Sequence, residues 1–134
     1  MAKISVPIVA TIIDEDGSGG ALALGVANRV LVLEFGCYSV ISPEECAGIL
    51  WKDGGRAADA AEQLKMTAPD LLRLGVVDSI VDEPAGGAHR DHDDAAKRLD
   101  RVLYETLSSL DAVSLGELAQ DRYQRFRKLG AVVA

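Results

Sequence analysis

Basic residues are in short supply. Fourteen Lys and Arg stand against 21 Asp and Glu, giving a formal net charge of -7 and a pI near 4.7. A sequence-independent nucleic-acid binder needs a basic face to displace counterions, so this balance argues against nucleic acid as a partner. Cysteine is scarce as well. Cys37 and Cys46 lack C-x-x-C spacing, lie in apolar or helix-start surroundings, and have no secretory leader before them. They predict a reducing, cytoplasmic setting, and with nothing basic beside either they read as small buried hydrophobes. Long apolar runs are missing too. The longest stretches are broken by Gly, Asp or Arg before they reach bilayer length, so a soluble chain with no membrane contact is expected.

What is present is a globular composition: 49% hydrophobic residues over 134 positions, rich in Ala, Leu and Val and poor in aromatics. That is the size of one ordinary domain, able to bury a core without disulfides, and no repeat or linker divides it. I-V-A-T-I-I, residues 8 to 13, predicts a buried strand that ends at the acidic turn Asp14-Glu15-Asp16. After the glycine cluster, A-L-A-L-G-V-A suits a short helix of small side chains, and residues 29 to 34 suit a second strand. Strand, glycine turn, helix, strand is the grammar of an α/β layer fold. Ser42, Pro43 and Glu45 form a predicted capping box before a helix ending near Trp51. Further helices are expected over 56 to 66 and 69 to 74, with a strand over 76 to 82. A long amphipathic helix from about Asp93 to Leu110 carries Ala96, Leu99, Leu103 and Leu107 on one face. A last helix opens at Ser114 with Glu117 as capping partner and ends near Gly130.

The glycine turn, residues 17 to 20, is the first candidate for chemistry. Backbone N–H groups at a helix start lack intrahelical partners, and glycine lets a ligand approach them, so the turn suits a phosphate or an oxyanion. It matches neither G-x-G-x-x-G nor the P-loop, and Ser18 lacks the G-x-S-x-G context of a nucleophile. The competing reading is that the glycines only permit close packing of helix on strand. His89 and His92 with Asp91, Asp93 and Asp94 suggest a metal, but a polar loop with acids complementing a helix N-terminus accounts for them more simply. The cations of R-Y-Q-R-F-R-K, residues 122 to 128, sit at a helix C-terminus, where the dipole favours them. A contact to an acidic partner or to coenzyme phosphates is the alternative. No Ser/His/Asp or Cys/His set is present.

Several separated motifs then occur in a telling order: V-P-I-V-A-T-I-I, G-S-G-G-A-L-A-L-G-V, Y-S-V-I-S-P-E-x-C-A-x-I-L-W-K, E-P-x-G-G-A-H-R and R-Y-Q-R-F. In that order the chain resembles the C-terminal part of the carboxyltransferase alpha subunit of acetyl-CoA carboxylase, over essentially its whole length. The resemblance implies an α/β, crotonase-like (ClpP/crotonase) fold of repeated β-β-α units, with residues 1–134 forming its C-terminal portion and added C-terminal helices. It implies transfer of a carboxyl group from carboxybiotin, on a separate carrier protein, to acetyl-CoA, giving malonyl-CoA for fatty acid synthesis. Loss of CO2 from carboxybiotin leaves a ureido anion that deprotonates the acetyl methyl, and the enolate attacks CO2. Both anions need fixed backbone donors rather than a side-chain base. Matched residue by residue, the glycine pair that holds the biotin carbonyl falls on Gly19 and Gly20. No metal is implied in this chain. The implied partners are a beta-type subunit that holds the acyl-CoA, the biotin carrier protein and a complementary N-terminal half, in an oligomeric assembly.

Three departures accompany the match. Asp14 and Asp16 stand where the family has glycines, and Glu45 replaces a glycine after S-P-E. A carboxylate beside a developing anion opposes it, or occupies the N–H groups meant for the ligand. The chain also begins where the family has its second half, which predicts uncovered sheet edges and an apolar face filled by another polypeptide. The alternative is a truncated, non-catalytic interaction or structural protein that keeps the surface and has lost the anion hole.

Overall fold

A computed structural model describes residues 2 to 130. Its centre is a three-stranded parallel sheet in the order β1 (Val9–Ile12), β3 (Arg29–Leu33), β5 (Ser79–Val81), with Val9 opposite Arg29 and Leu31 opposite Ser79. The strands are nearly continuous apolar runs because both faces are covered. On one face Ala10, Ile12, Val30 and Val32 pack with Ala21 of α1 (Ser18–Leu24) and with Ala68 and Leu71 of α4 (Ala68–Arg73). On the other, Leu31, Leu33 and Val81 meet Leu99, Val102 and Leu103 of α5 (His92–Asp111). A second, two-stranded parallel pair joins β2 (Glu15–Asp16) to β4 (Cys37–Tyr38), ahead of α1 and of α2 (Pro43–Trp51) respectively. A 3-10 turn (Gly54–Arg56) and α3 (Ala57–Leu64) follow α2, with the Arg56 guanidinium 4.3 Å from the Trp51 ring centroid.

Small residues let α1 sit close to its neighbours. A methyl group added at Gly25 would stand 3.0 Å from Tyr38 Oη, and one at Gly36 would meet Val32 Cγ2 at 2.9 Å. The Tyr38 hydroxyl donates to the Ala21 carbonyl, tying β4 to α1.

The elements differ from the sequence expectations in four respects. The helix after the glycines starts at Ser18 rather than Ala21, so Gly19 and Gly20 lie inside its first turn. The paired residues of β2 and β4 fall in stretches read as an acidic turn and as a lead-in to α2; two-residue strands carry too little periodicity to be seen. The strand expected over 76 to 82 narrows to 79–81, because Val76 O and the Asp78 carboxylate accept from Arg125 while Asp78 Oδ2 also accepts from Val30 N–H. The buried face of α5 runs through Leu99, Val102, Leu103 and Leu110, leaving Ala96 and Leu107 exposed. At 100° per residue the expected stripe lay one step round the helix from the true one.

The last helix, α6 (Leu115–Lys128), buries Leu118 and is fastened further by polar contacts. Arg122, only 1% exposed, donates from Nη1 to Val6 O at 3.1 Å and to Asn28 Oδ1 at 2.7 Å, and from Nη2 to Ile4 O. Fully buried Asn28 donates to Leu118 O at 3.0 Å and to Asp121 Oδ2 at 2.9 Å, and accepts from Ile8 N–H at 3.1 Å. Arg125 reaches Asp78, Gly25 O and Val76 O. Arg122 and Arg125 are thus consumed within the fold, so the reading of R-Y-Q-R-F-R-K as a contact for coenzyme phosphates does not hold for these two.

Two capping arrangements were expected. At α6 the Ser114 N–H and hydroxyl both donate to Glu117 Oε2, at 3.2 and 2.6 Å. At α2 only half of the expected box forms among the described residues: Ser42 Oγ accepts from Glu45 N–H at 3.2 Å, and no bond from the Ser42 backbone reaches the Glu45 carboxylate.

Two outcomes follow. Asn28→Ala strips Arg122, Leu118 and Ile8 of buried partners and should cost about 2–4 kcal/mol, read as a lowered urea midpoint with an unchanged slope. Hydrogen bonds from Ser114 hold the Glu117 carboxyl below its ordinary value of 4.5. Its contribution is therefore complete above the unfolded value and lost as pH falls through the folded one. Glu117→Gln should lower the midpoint at pH 7 and match the unsubstituted chain once the pH has fallen below the depressed folded value.

Candidate functional site

The glycine turn lies where β2 gives way to α1. Gly17, the residue before the helix, is extended (φ -148, ψ 173) and offers no side chain to cap it. Ser18 then adopts φ 59, a left-handed conformation uncommon for a residue with a Cβ, and turns the chain sharply into α1. The first intrahelical bond runs from Ala21 N–H to Gly17 O at 3.2 Å. The N–H groups ahead of it have no acceptor within an α-helix.

The two readings of the glycines separate by position. A Cβ at Gly19 would meet nothing within 4 Å, so close packing does not explain that glycine; it explains Gly25 and Gly36 instead. Gly19 and Gly20 are both exposed.

Grooves flank the turn on two sides. Pairing of Glu15 with Cys37 and of Asp16 with Tyr38 brings the approach to α1 alongside the approach to α2. One groove, lined by Glu15, Gly17, Cys37, Ser39 and Glu44, is polar. The other is largely apolar, lined by Ser18, Val40, Ile41, Glu45, Gly48 and Ile49. Burial, then the Glu15 and Asp14 charges, push the Cys37 thiol above its ordinary value, which removes it as a thiolate nucleophile near neutral pH. The turn thus offers backbone donors and an apolar wall, and it contains no activated side-chain nucleophile.

A third cleft opens at the carboxyl ends of the sheet strands. It is lined by Asp14 after β1, Phe35 after β3, and Glu83, Gly87, His89 and His92 after β5. Gly86 and Gly87 have φ 87 and 98, the left-handed turn that E-P-A-G-G requires. Glu83 fixes that turn by accepting from Phe35 N–H at 3.1 Å and Ala88 N–H at 2.6 Å. Asp91 caps α5 by accepting from Asp94 N–H at 2.9 Å, and Asp94 pairs with Arg98 at 2.7 Å. The acids of H-R-D-H-D-D therefore serve the helix start. No group of three His, Cys, Asp or Glu among the described residues is placed to hold a metal ion.

Asp14, one of the two aspartates beside the glycines, lines this third cleft, and its backbone carbonyl accepts from Cys37 N–H at 2.8 Å. The Asp16 side chain lies outside what the structure describes. Sequence reasoning missed Val40, Gly48 and Ile49 as groove residues, and Glu83 as the clamp of its loop. The usable signals were a glycine inside a helix at Gly48 and a β-branched residue in a loop at Val40.

Comparison with known proteins places the chain. Residues 1–130 match the profile described as acetyl co-enzyme A carboxylase carboxyltransferase-like. The acetyl-coenzyme A carboxylase carboxyl transferase subunit alpha of Sorangium cellulosum (strain So ce56) is 71% identical over 133 residues, covering 99% of this chain and 42% of the relative. The proteins of the same description from Geobacter metallireducens and Stenotrophomonas maltophilia are 57% and 55% identical, covering 96% and 100% of this chain and 41% and 42% of the relatives. The chain spans about two fifths of the length of the curated relatives it matches. With a profile match over residues 1–130, it belongs to the acetyl-CoA carboxylase carboxyltransferase-like family.

Proposed function

We propose that residues 1–134 form the C-terminal portion of a carboxyltransferase domain, within an assembly that carries a carboxyl group from carboxybiotin to acetyl-CoA to form malonyl-CoA. The observation that carries this reading is the turn at Gly19: open to solvent, with no packing reason to be glycine, and at the start of a helix with no side-chain cap. Identity of 71% to a carboxyl transferase alpha subunit supports it. Carboxybiotin, when bound, supplies the carboxyl group; Gly19 and Gly20 hold the ring through their backbone N–H groups. Fixed dipoles of this kind stabilise developing negative charge without reorganising, which is the main requirement of a transfer through anionic species. Val40, Ile41 and Ile49 place apolar side chains along one side of the turn, those of Val40 and Ile49 exposed, surface of the kind that a bound partner covers.

The element order also supports a crotonase-like architecture, since strand, short strand and helix occur twice in succession as β1-β2-α1 and β3-β4-α2. Partner chains belong to the same reading: a beta-type subunit for the acyl-CoA, a biotin carrier protein, and polypeptide corresponding to the rest of the relatives' length. The neighbouring Leu22, Val40 and Leu74, between 55% and 70% exposed along one groove, are apolar surface of the kind that another chain covers. Action in the cytoplasm is part of the same reading; no helix among the described residues is long and apolar enough to cross a membrane.

The test is carboxyl exchange between malonyl-CoA and a biotin derivative, with the beta-type subunit and any complementary polypeptide present. Gly19→Val places a side chain in open space, so its denaturation midpoint should stay close to that of the unsubstituted chain. Its exchange rate should fall at least about tenfold, because the added side chain stands in the open space beside the turn and keeps a ring from reaching the N–H groups. An unchanged rate would remove the glycine turn from the chemistry. Asp14→Gly should leave exchange within about twofold, because Asp14 lines the other cleft. A tenfold rise would instead support the reading of a chain whose anion hole has been lost.

A further inference from the structure

The two edges of the central sheet are unlike one another. β5 closes one side with three residues, flanked by Asp78, Asp82 and Glu83. Shortness and charge are the usual protection of an edge that has no further neighbour. β1 closes the other side, and residues 8 to 13, I-V-A-T-I-I, contain no charge, proline or glycine. Such a run is characteristic of a strand inside a parallel sheet, with neighbours on both sides. Ile8 O accepts from the Asn28 and Arg29 N–H groups, which turns the even-numbered residues of β1 toward β3. Alternation then points the N–H and C=O groups of Val9, Thr11 and Ile13 away from the sheet, and no strand among the described residues pairs with them. At the end of that open row the Ile13 side chain is 63% exposed.

We propose that the β1 edge receives one further parallel strand, from polypeptide corresponding to the part of the relatives that this chain does not span. The proposal rests on the reading that such polypeptide assembles with the chain. The relatives have the length to supply it: the chain covers 42% of the Sorangium cellulosum protein. The occupant is an extended segment that is apolar on both faces, because Ala10 and Ile12 pack in the cluster with Ala21 of α1 while Val9 packs in the one with Leu99 of α5. It runs in the direction of β1, as β3 and β5 do. Main-chain bonds to Val9, Thr11 and Ile13 set its register, since a slip of one residue would turn every side chain to the wrong face.

The experiment co-expresses the chain with the part of the Sorangium cellulosum relative that it does not match, and follows amide hydrogen exchange in the chain alone and in the purified complex. Alone, Val9, Thr11 and Ile13 should exchange faster than Ala10 and Ile12. In the complex their exchange should slow at least about tenfold, while that of Ile80 in β5 stays within about twofold. Thr11→Pro removes an outward N–H that the chain itself does not use, so its urea midpoint alone should stay close to that of the unsubstituted chain. Its affinity for the complementary polypeptide should fall at least about tenfold. Where Thr11→Pro fails to fold, the exchange pattern of the unsubstituted chain decides by itself. Unchanged affinity of folded Thr11→Pro overturns the proposal. So does a complex in which the three amides exchange as fast as in the chain alone, and the partner reading then stands on another surface. Slowing in the chain alone that grows with its concentration gives the edge to a second copy and overturns the proposal as well. Absence of any complex overturns the proposal and the partner reading together.

Discussion

The hydrogen bonds from buried Arg122 to Asn28, Val6 and Ile4 hold together three stretches of chain distant in sequence. Arg122 lies on α6, Asn28 at the entrance to β3, and the carbonyls of Ile4 and Val6 on the segment leading into β1. A guanidinium withdrawn from water is costly, and here it is met by carbonyl and amide oxygens with Asp121 one hydrogen bond away through Asn28. Among the described residues Arg122 Nε has no hydrogen-bond partner, so the arrangement is not fully satisfied there. Its specificity compensates. Planar donors fixed in a fork accept few alternative registers for α6, whereas an apolar helix face would slide.

With the strand entrances clamped in this way, the opposite ends of the strands are free to carry the site. β1 and β3 run parallel and leave the sheet on the same side, and there each continues into a short strand, Glu15–Asp16 and Cys37–Tyr38. That second pairing brings the approach to α1 beside the approach to α2, and the grooves around Ser18 and Gly17 exist because of it. A sheet covered on both faces supplies the rigid base, and the variable chemistry is confined to the loops beyond it.

Much of this could be read in the residues before any coordinates. Both long strands announced themselves as β-branched apolar runs, and Ser42-Pro43 and Ser114–Glu117 marked helix starts that the structure contains. Elements of two residues could not be read, since alternation needs more length than β2 and β4 possess. Nor could the roles of Asn28 and Arg122, because a buried polar pair 94 positions apart leaves no local pattern. The glycine turn was visible as a candidate, but only geometry separates Gly19, with open space around it, from Gly25 and Gly36, where close contact requires glycine. Glu45 shows the opposite difficulty. Its spacing from Ser42 fitted a capping box so well that its second position, over the groove, was hidden.

A chain with an excess of seven negative charges is an unexpected host for a turn proposed to receive an anion. The resolution lies in distance and in what kind of charge is involved. Backbone N–H dipoles act within hydrogen-bond range and are fixed, whereas most of the carboxylates are exposed and screened within about 8–10 Å by salt. Several are also neutralised locally: Asp70 by Arg73, Asp94 by Arg98, Asp121 by Arg29. The carboxylates that matter for the turn are therefore those lining its own grooves, Glu15 and Glu44 on the polar side and Glu45 on the apolar side. All three are exposed, so salt screens them as it does the others, and the fixed N–H dipoles act at shorter range than any of them.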